Sequence, residues 1–314
     1  MMGVQPQNLV VVGANGMLAQ AVKKQAPDRF RLSCLDLPEF DLTHRDQVLD
    51  RMREIAPAVI INCAAYTNVD GCETNEETAT TVNGLGPGYL AEAARNSGAT
   101  LVHISTDYVF DGRKREPYTE EDVTNPLSAY GRSKLKGEES ILESGLERYF
   151  IIRTSWLYGS GGKNFVETII RLTNEREELR IVADQIGSPT FTGDLARAIF
   201  NLVATVTSDK SQVASNYPSL VTRHSSPPFG IYHFSGEGQC SWYEFGKEIV
   251  AQLTELGAPG KVQRILPIST DEYPLPAVRP AYSVFSKIKY CRAAGVTIPD
   301  WRESLAEYFR TREG

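Results

Sequence analysis

The chain has 314 residues, 41% of them hydrophobic, with 33 lysines and arginines against 39 acids and a net charge of −6. That length suits one large domain or two closely joined ones, and the apolar content can fill a core. The acidic balance, without a long basic run, argues against nucleic acid as a main partner. No apolar run approaches the roughly 20 residues needed to span a bilayer, so no membrane partner is expected. The polar stretch Met1 to Asn8 lacks a signal-peptide core. Cys34, Cys63, Cys72, Cys240 and Cys291 are odd in number and lack C-x-x-C spacing, which reads as reduced thiols in a cytoplasmic protein. The histidines are scattered, with no zinc pattern, and no metal is expected; His103 and His233 sit in apolar runs and read as core residues.

Leu9-Val10-Val11-Val12 reads as a buried parallel strand. Gly13-Ala14-Asn15-Gly16-Met17-Leu18-Ala19 follows at once. Its glycines allow a tight turn and a close approach to a pyrophosphate at the N-terminus of the next helix. The G-x-x-G-x-x-A spacing is weak alone, since an ordinary strand–helix turn can share it. Leu32 to Leu35 is a second strand ending at Asp36, 20 residues beyond Gly16, where a carboxylate can bond adenosine ribose hydroxyls. Together these features predict dinucleotide binding, with Gly13, Asn15, Gly16, Met17, Leu18 and Asp36 on the cofactor side. Asp41 and Leu42 are assigned to the same side. Thr43-His44-Arg45-Asp46 reads as a capping box opening a helix to about Ile55. Val59 to Asn62 is the third strand. It leads into Cys63-Ala64-Ala65-Tyr66-Thr67, whose small residues let a cofactor lie against the backbone, so Ala64, Ala65, Tyr66 and Thr67 are cofactor candidates. A helical stretch around Asn83 runs to Gly98, and Thr100 to Ile104 is the fourth strand. The alternation predicts an α/β fold: a doubly wound, Rossmann-like parallel sheet with helices on both faces. Ligands bind beyond the carboxyl ends of such strands, where Gly13, Asp36, Ala65 and Thr106 fall.

Tyr130-Gly131-Arg132-Ser133-Lys134 puts a phenol and an amine on one helix face. A cation there lowers the phenol's pKa from about 10 towards neutrality, which suits proton transfer at a carbonyl or alcohol oxygen. Tyr243-Glu244-Phe245-Gly246-Lys247 repeats the spacing, as chance allows in a chain with 14 tyrosines. Context favours Tyr130, which follows the strand end Ser105-Thr106, whereas Tyr243 follows Ser241 and Trp242 on a late helix. Tyr149 to Arg153 is the fifth strand, with Trp156 and Tyr158 beyond it. Gly159 to Asn164 reads as a turn before a helix. Leu179 to Val182 is a sixth strand, Gly193 to Val206 a helix, Ile231 to Phe234 a short strand, and Ser241 to Leu256 a helix opened by a second capping box. Thr207 to Phe229 is a Ser- and Pro-rich stretch whose composition suggests mobility. The division expected is a dinucleotide-binding domain over 1–155, with returning segments near 190–235, and a smaller C-terminal α/β substrate domain over 156–314.

Ile104 to Gly112, Pro117-Tyr118, Asn125-Pro126 and Tyr130 to Lys134 resemble the extended short-chain dehydrogenase/reductase superfamily, and within it the dTDP-4-dehydrorhamnose reductase family. So do Ala64 to Asp70, Arg153 to Gly159, Asp184 to Thr190 and Arg279 to Ser283. Ala19 departs from the usual third glycine, and the 207–229 stretch is absent from the usual pattern. The resemblance implies a catalytic set of Thr106, Tyr130 and Lys134, and a substrate side of Thr106, Asp107, Tyr108, Trp156 and Arg279. The cofactor is NADPH or NADH, bound also by Tyr130 and Lys134. The partner is a dTDP-linked keto-sugar, with a homodimer left open, in dTDP-rhamnose biosynthesis for cell-wall polysaccharide. Because strand residues alternate, the side chains of Ser105 and Asp107 are expected to point away from Thr106. A nucleotide-sugar epimerase or dehydratase would use the same fold and Tyr/Lys pair. A non-catalytic regulatory subunit resembling the β subunit of methionine adenosyltransferase, or a dinucleotide-sensing protein, are the readings from other classes.

Overall fold

A computed structural model describes residues 6–207, 229–258 and 260–312. The Ser- and Pro-rich stretch 207–229, its two end residues apart, lies outside the described residues. Five strands alternate with helices: β1 (Gln7–Val12), β2 (Phe30–Leu35), β3 (Val59–Asn62), β4 (Thr100–Thr106) and β5 (Tyr149–Thr154). With Gly230–His233 they form one sheet, in the order Gly230–His233, β5, β4, β3, β1, β2, every neighbour parallel.

Side chains alternate across this sheet, and both faces are covered, which explains the nearly continuous apolar runs. Leu9, Val11, Ile61, Val102 and Ile152 pack on α1 (Met17–Gln25) and α8 (Thr192–Val206). Val10, Val12, Ile60, Leu101 and Ile151 pack on α2 (Arg45–Ile55), α5 (Gly86–Ser97) and α6 (Ala129–Glu143). Between β3 and α5 lie two short helices, α3 (Val69–Cys72) and α4 (Glu76–Thr80), and a π-turn over Thr81–Leu85. A separate core in the C-terminal lobe joins α7 (Phe165–Glu175) to the helices Trp242–Glu255 and Trp301–Arg312. Tyr158 is buried there against Phe191, Phe245 and Tyr308. Among the described residues no helix is long and apolar enough to cross a membrane.

The expected Leu179 strand forms, outside the main sheet, and one local expectation is corrected. The Leu179 strand spans Glu178–Val182 and pairs with Arg264–Ile268 in its own two-stranded sheet. The sixth place in the main sheet goes to Gly230–His233. At α2 no capping box forms: His44 is the N-cap and makes no side-chain cap bond. The amide and hydroxyl of Thr43 turn back to the Asp41 carboxylate, at 2.9 and 2.7 Å, because that nearby acceptor competes successfully for them. The second capping box does form, between Ser241 and Glu244.

Candidate active site

In a parallel sheet all carboxyl ends lie on one edge, so Gly13, Asp36, Ala64 and Thr106 follow adjacent strands there. Gly13 takes φ +74°, and a Cβ on it would sit 2.6 Å from the Ala64 Cα. Only glycine lets these two turns approach so closely. No side chain caps α1 at Gly16 and its first turn holds no acid, which leaves its amides open to an anion. The Asp36 carboxylate accepts the Asn15 and Leu37 amides at 2.7 and 2.8 Å, which ties the end of β2 to the glycine turn. Met17 is half-buried, whereas Leu18 and Leu42 point into the core, so those two can meet a cofactor only through their backbone. Asp41 is held below the usual carboxylate range by the Thr43 amide, with the Thr43 hydroxyl and His44 adding to it. Beyond Ala64 and Ala65, Tyr66 is locked to Asn83. Its amide donates to Asn83 Oδ1 at 2.7 Å, and Asn83 Nδ2 donates to its carbonyl at 3.1 Å and to the Ser133 hydroxyl at 2.9 Å. Fully buried Asn83 thus joins the third-strand loop to α6. Thr67 is exposed beside it.

Ser128 caps α6 through the Gly131 amide at 3.2 Å. Gly131 has no side chain because one would strike the Tyr108 carbonyl. That contact brings Tyr130 against the end of β4, its ring edge-on to Tyr108 with centroids 5.4 Å apart. Tyr66 and Tyr130 pack on the same small cluster of Cys72, Ala79 and Ala129. Ser105 points away, as expected, and donates to Glu138. Asp107 does not point away. Strand geometry stops at Thr106 and a 3-10 turn over Asp107–Val109 takes over, so the alternation fails there. The Thr106 hydroxyl donates to Asp107 Oδ1 at 3.0 Å, and Oδ2 is buried without a partner at normal hydrogen-bond geometry. Burial raises the Asp107 carboxyl to about 6, although Ser283 and Thr106 hold it down.

The Tyr130 phenol is not drawn towards neutrality here. Burial first, then the Asp107 carboxylate, hold it above its usual value, with Thr106 pulling the other way. Lys134 is turned elsewhere: its ammonium donates to the Ile104 carbonyl at 2.6 Å and lies 3.5 Å from His103 Nε2. Burial lowers Lys134 to about 8, with Glu138 and Cys63 opposing. His103, read from sequence as a core residue, belongs to this chain of contacts. Asn62 Oδ1 accepts the Ala64 amide at 3.1 Å, so its Nδ2 faces His103 Nδ1, also at 3.1 Å. Nδ1 is therefore the acceptor and Nε2 carries the hydrogen, so the 3.5 Å approach of Lys134 to Nε2 sets two donors side by side and is not a hydrogen bond. One turn on, Glu138 pairs with Arg153 at 2.7 Å, both side chains at most 4% exposed. Sequence reasoning passed over Asn62, Asn83 and Glu138. The third carried a signal, since Tyr130, Lys134 and Glu138 recur at helical spacing on one face.

Of the residues expected on the substrate side, Trp156 takes φ +48°, a conformation rarely adopted by a bulky residue. Its ring stacks on Trp242 at 3.6 Å, against Gly187, where a side chain would collide with it. Trp242 and Arg279 are both in the wall of a cavity of about 750 Å³, with Leu172, Ile268 and Tyr273. Arg279 forms a two-pronged pair with Asp70 and lies close enough to Tyr108 to act on its phenol. The late copy, Tyr243 and Lys247, meets differently: the Lys247 ammonium lies over the Tyr243 ring at 5.4 Å.

The chain matches the family described as the RmlD substrate binding domain over residues 7–313. It is 40% identical over 296 residues to a dTDP-4-dehydrorhamnose reductase from Sinorhizobium fredii, covering 94% of each chain. A dTDP-4-dehydrorhamnose reductase from Burkholderia thailandensis is 39% identical over 299 residues, covering 95% of this chain and 96% of that one. The crystal structure of dTDP-4-dehydrorhamnose reductase from Bacillus anthracis, in complex with NADP, superimposes with a TM-score of 0.86 at 39% identity, covering 98% of this chain and 99% of that one. Likeness of this depth over nearly the whole of each partner is that of family members, and the chain belongs to the dTDP-4-dehydrorhamnose reductase family of the extended short-chain dehydrogenase/reductase superfamily.

Proposed function

We propose that the protein carries out its family's reaction, reducing the C4 ketone of dTDP-4-dehydro-6-deoxy-L-mannose to give dTDP-L-rhamnose. The observation that carries this reading is Tyr130 beside Thr106 at the carboxyl edge of the sheet, with the Lys134 amine one helical turn on under β4 and an uncapped helix start suited to a dinucleotide nearby. The residues fit a nicotinamide dinucleotide: the open first turn of α1 suits its diphosphate, Asp36 an adenosine ribose, and the Ala64–Thr67 loop the body of the molecule. When bound, NADPH or NADH supplies the hydride.

The protein's own part is proton transfer and charge placement. Tyr130 gives its proton to the ketone oxygen as alkoxide character develops there. A phenol above its usual pKa remains loaded at neutral pH, which is the form a reduction needs. Lys134, near 8, keeps its charge at pH 7 and steadies the phenolate left behind, besides bonding the nicotinamide ribose. With substrate present the Thr106 hydroxyl turns from Asp107 and gives its one hydrogen to the same sugar oxygen. Asp107, Tyr108 and Trp156 border the sugar, and Arg279 takes the diphosphate, because a guanidinium fork matches phosphate oxygens. The cavity behind Arg279 and Trp242 suits the thymine base. Binding energy from these remote groups orients the ketone.

The five cysteines, none of them paired, suit a reducing cytoplasm. A homodimer is the assembly that light scattering would test. The deciding assay supplies purified protein with the dTDP-keto-sugar, made in place by an epimerase, and follows NADPH absorbance and product mass. A dTDP-sugar two hydrogens heavier supports the reading. Folded, cofactor-bound protein that consumes neither reduced cofactor would instead favour a non-catalytic regulatory role.

A further inference from the structure

Asp70 and Arg279 are 209 residues apart, yet their side chains meet end-on: Nη1 donates to Oδ1 at 3.1 Å and Nη2 to Oδ2 at 2.9 Å. Nη1 gives its second hydrogen to the Ala277 carbonyl at 2.8 Å, and the Ala277 amide donates to Asp70 Oδ1 at 3.1 Å. A guanidinium carries five N–H donors in one plane. Three of Arg279's are engaged in this way. The other two, Nε–H and the second Nη2–H, have no partner among the described residues. They lie side by side along the remaining edge, which is itself a fork able to hold two oxygens of one phosphate. Arg279 is in the wall of the cavity that also holds Trp242. Asp70 stands in the first turn of α3, directly after the Ala64–Thr67 loop, and Asn68 pins that turn by accepting the Gly71 amide at 3.0 Å.

We propose that Asp70 is a positioning residue for substrate: it fixes the plane of Arg279 so that the Nε/Nη2 edge is presented to the diphosphate of the dTDP-sugar. This rests on the reading of Arg279 as the diphosphate partner and explains how the guanidinium is set before substrate arrives. It also anchors the substrate's handle to the segment that borders the cofactor, so ketone and hydride donor share one reference point.

A carboxylate beside the site also repels a diphosphate, so two variants are needed to separate orientation from charge. Asp70→Asn removes the charge and one prong of the fork. Asp70→Glu keeps the charge but shifts the prongs by one methylene. Binding is measured by calorimetry with dTDP, thymidine and NADPH on the full chain. Positioning predicts that both variants weaken dTDP binding, Asp70→Asn by about tenfold, the scale of losing one charge-assisted hydrogen bond. Thymidine and NADPH should bind as to the unaltered protein. Arg279→Ala is the control: if it leaves dTDP binding unchanged, the diphosphate reading itself fails. If Arg279→Ala weakens dTDP while Asp70→Asn binds it equally well or more tightly, Asp70 is only a repelling charge and the proposal is overturned. Loss of thymidine binding in Asp70→Asn would show general damage to the pocket and overturn it as well.

Discussion

Two helices of this protein carry Tyr-x-x-x-Lys, and they put it to different uses. On the helix Trp242–Glu255 the pair closes on itself, with the Lys247 ammonium resting over the Tyr243 ring at 5.4 Å. Such a contact at an exposed site contributes about 0.5–1 kcal/mol and no chemistry. On α6 the two side chains turn to other partners. Lys134, 2% exposed, bonds a carbonyl of β4, and Tyr130 stands against Tyr108 and Thr106. The spacing is common to both helices. What differs is that α6 lies against the carboxyl edge of a parallel sheet, where burial changes both titrating groups and adjoining turns are open to ligands. Helical spacing sets which side chains share a face, and the surface opposite that face decides what they can do.

Tests of this contrast can be ranked by expected effect. Tyr130→Phe should lower turnover by a factor on the order of 10² to 10⁴, the usual contribution of a positioned general acid, while NADPH binding by fluorescence titration survives. Retention of most activity would mean that another group delivers the proton. Next is the pH profile. Lys134 loses its charge as pH rises through about 8, so kcat/KM should fall along an alkaline limb near that value. Tyr130 lies above its usual value and contributes no limb in that range. A profile flat up to pH 10 would show that the Lys134 charge is not used. Glu138→Gln removes the carboxylate that favours the charged amine and should move the limb to lower pH.

A smaller change is expected at the cofactor. Asp36 should repel a 2′-phosphate and no arginine immediately follows it, which favours NADH, but a reductase of this family from Bacillus anthracis is solved with NADP, so both cofactors should serve with a modest bias. Asp36→Ala should shift the ratio of kcat/KM values towards NADPH; an unchanged ratio would take Asp36 away from the ribose. Smallest of all, Tyr243→Phe should leave turnover near that of the unaltered protein. If it proved as damaging as Tyr130→Phe, the distinction between the two helices would collapse.

Much of the scaffold is legible in the sequence because its causes are local. β-Branched runs mark β1, β3 and β4, and Leu32 to Leu35 before Asp36 marks β2; each ends at the carboxyl edge of the parallel sheet. Gly13, Asp36, Ala64 and Thr106 therefore take their places from strand order alone. The clearest local misreading was Asp107, where the strand's alternation was carried one residue too far. The Lys134 amine was read as a neighbour of the Tyr130 phenol, yet a carbonyl on β4 holds it.

The sequence by itself determined the fold class, the glycine turn and the candidate pair on α6, because periodicity and backbone freedom act over a few residues. Only the tertiary structure decided which groups meet across long separations: Asn62 with His103, His103 with Lys134, Asp107 with Tyr130, and Asp70 with Arg279. Hydrogen-bond geometry and the loss of water around a charge depend on which surfaces close on one another. That is why one Tyr-x-x-x-Lys is an ammonium resting over a half-buried ring and the other the centre of a proposed active site.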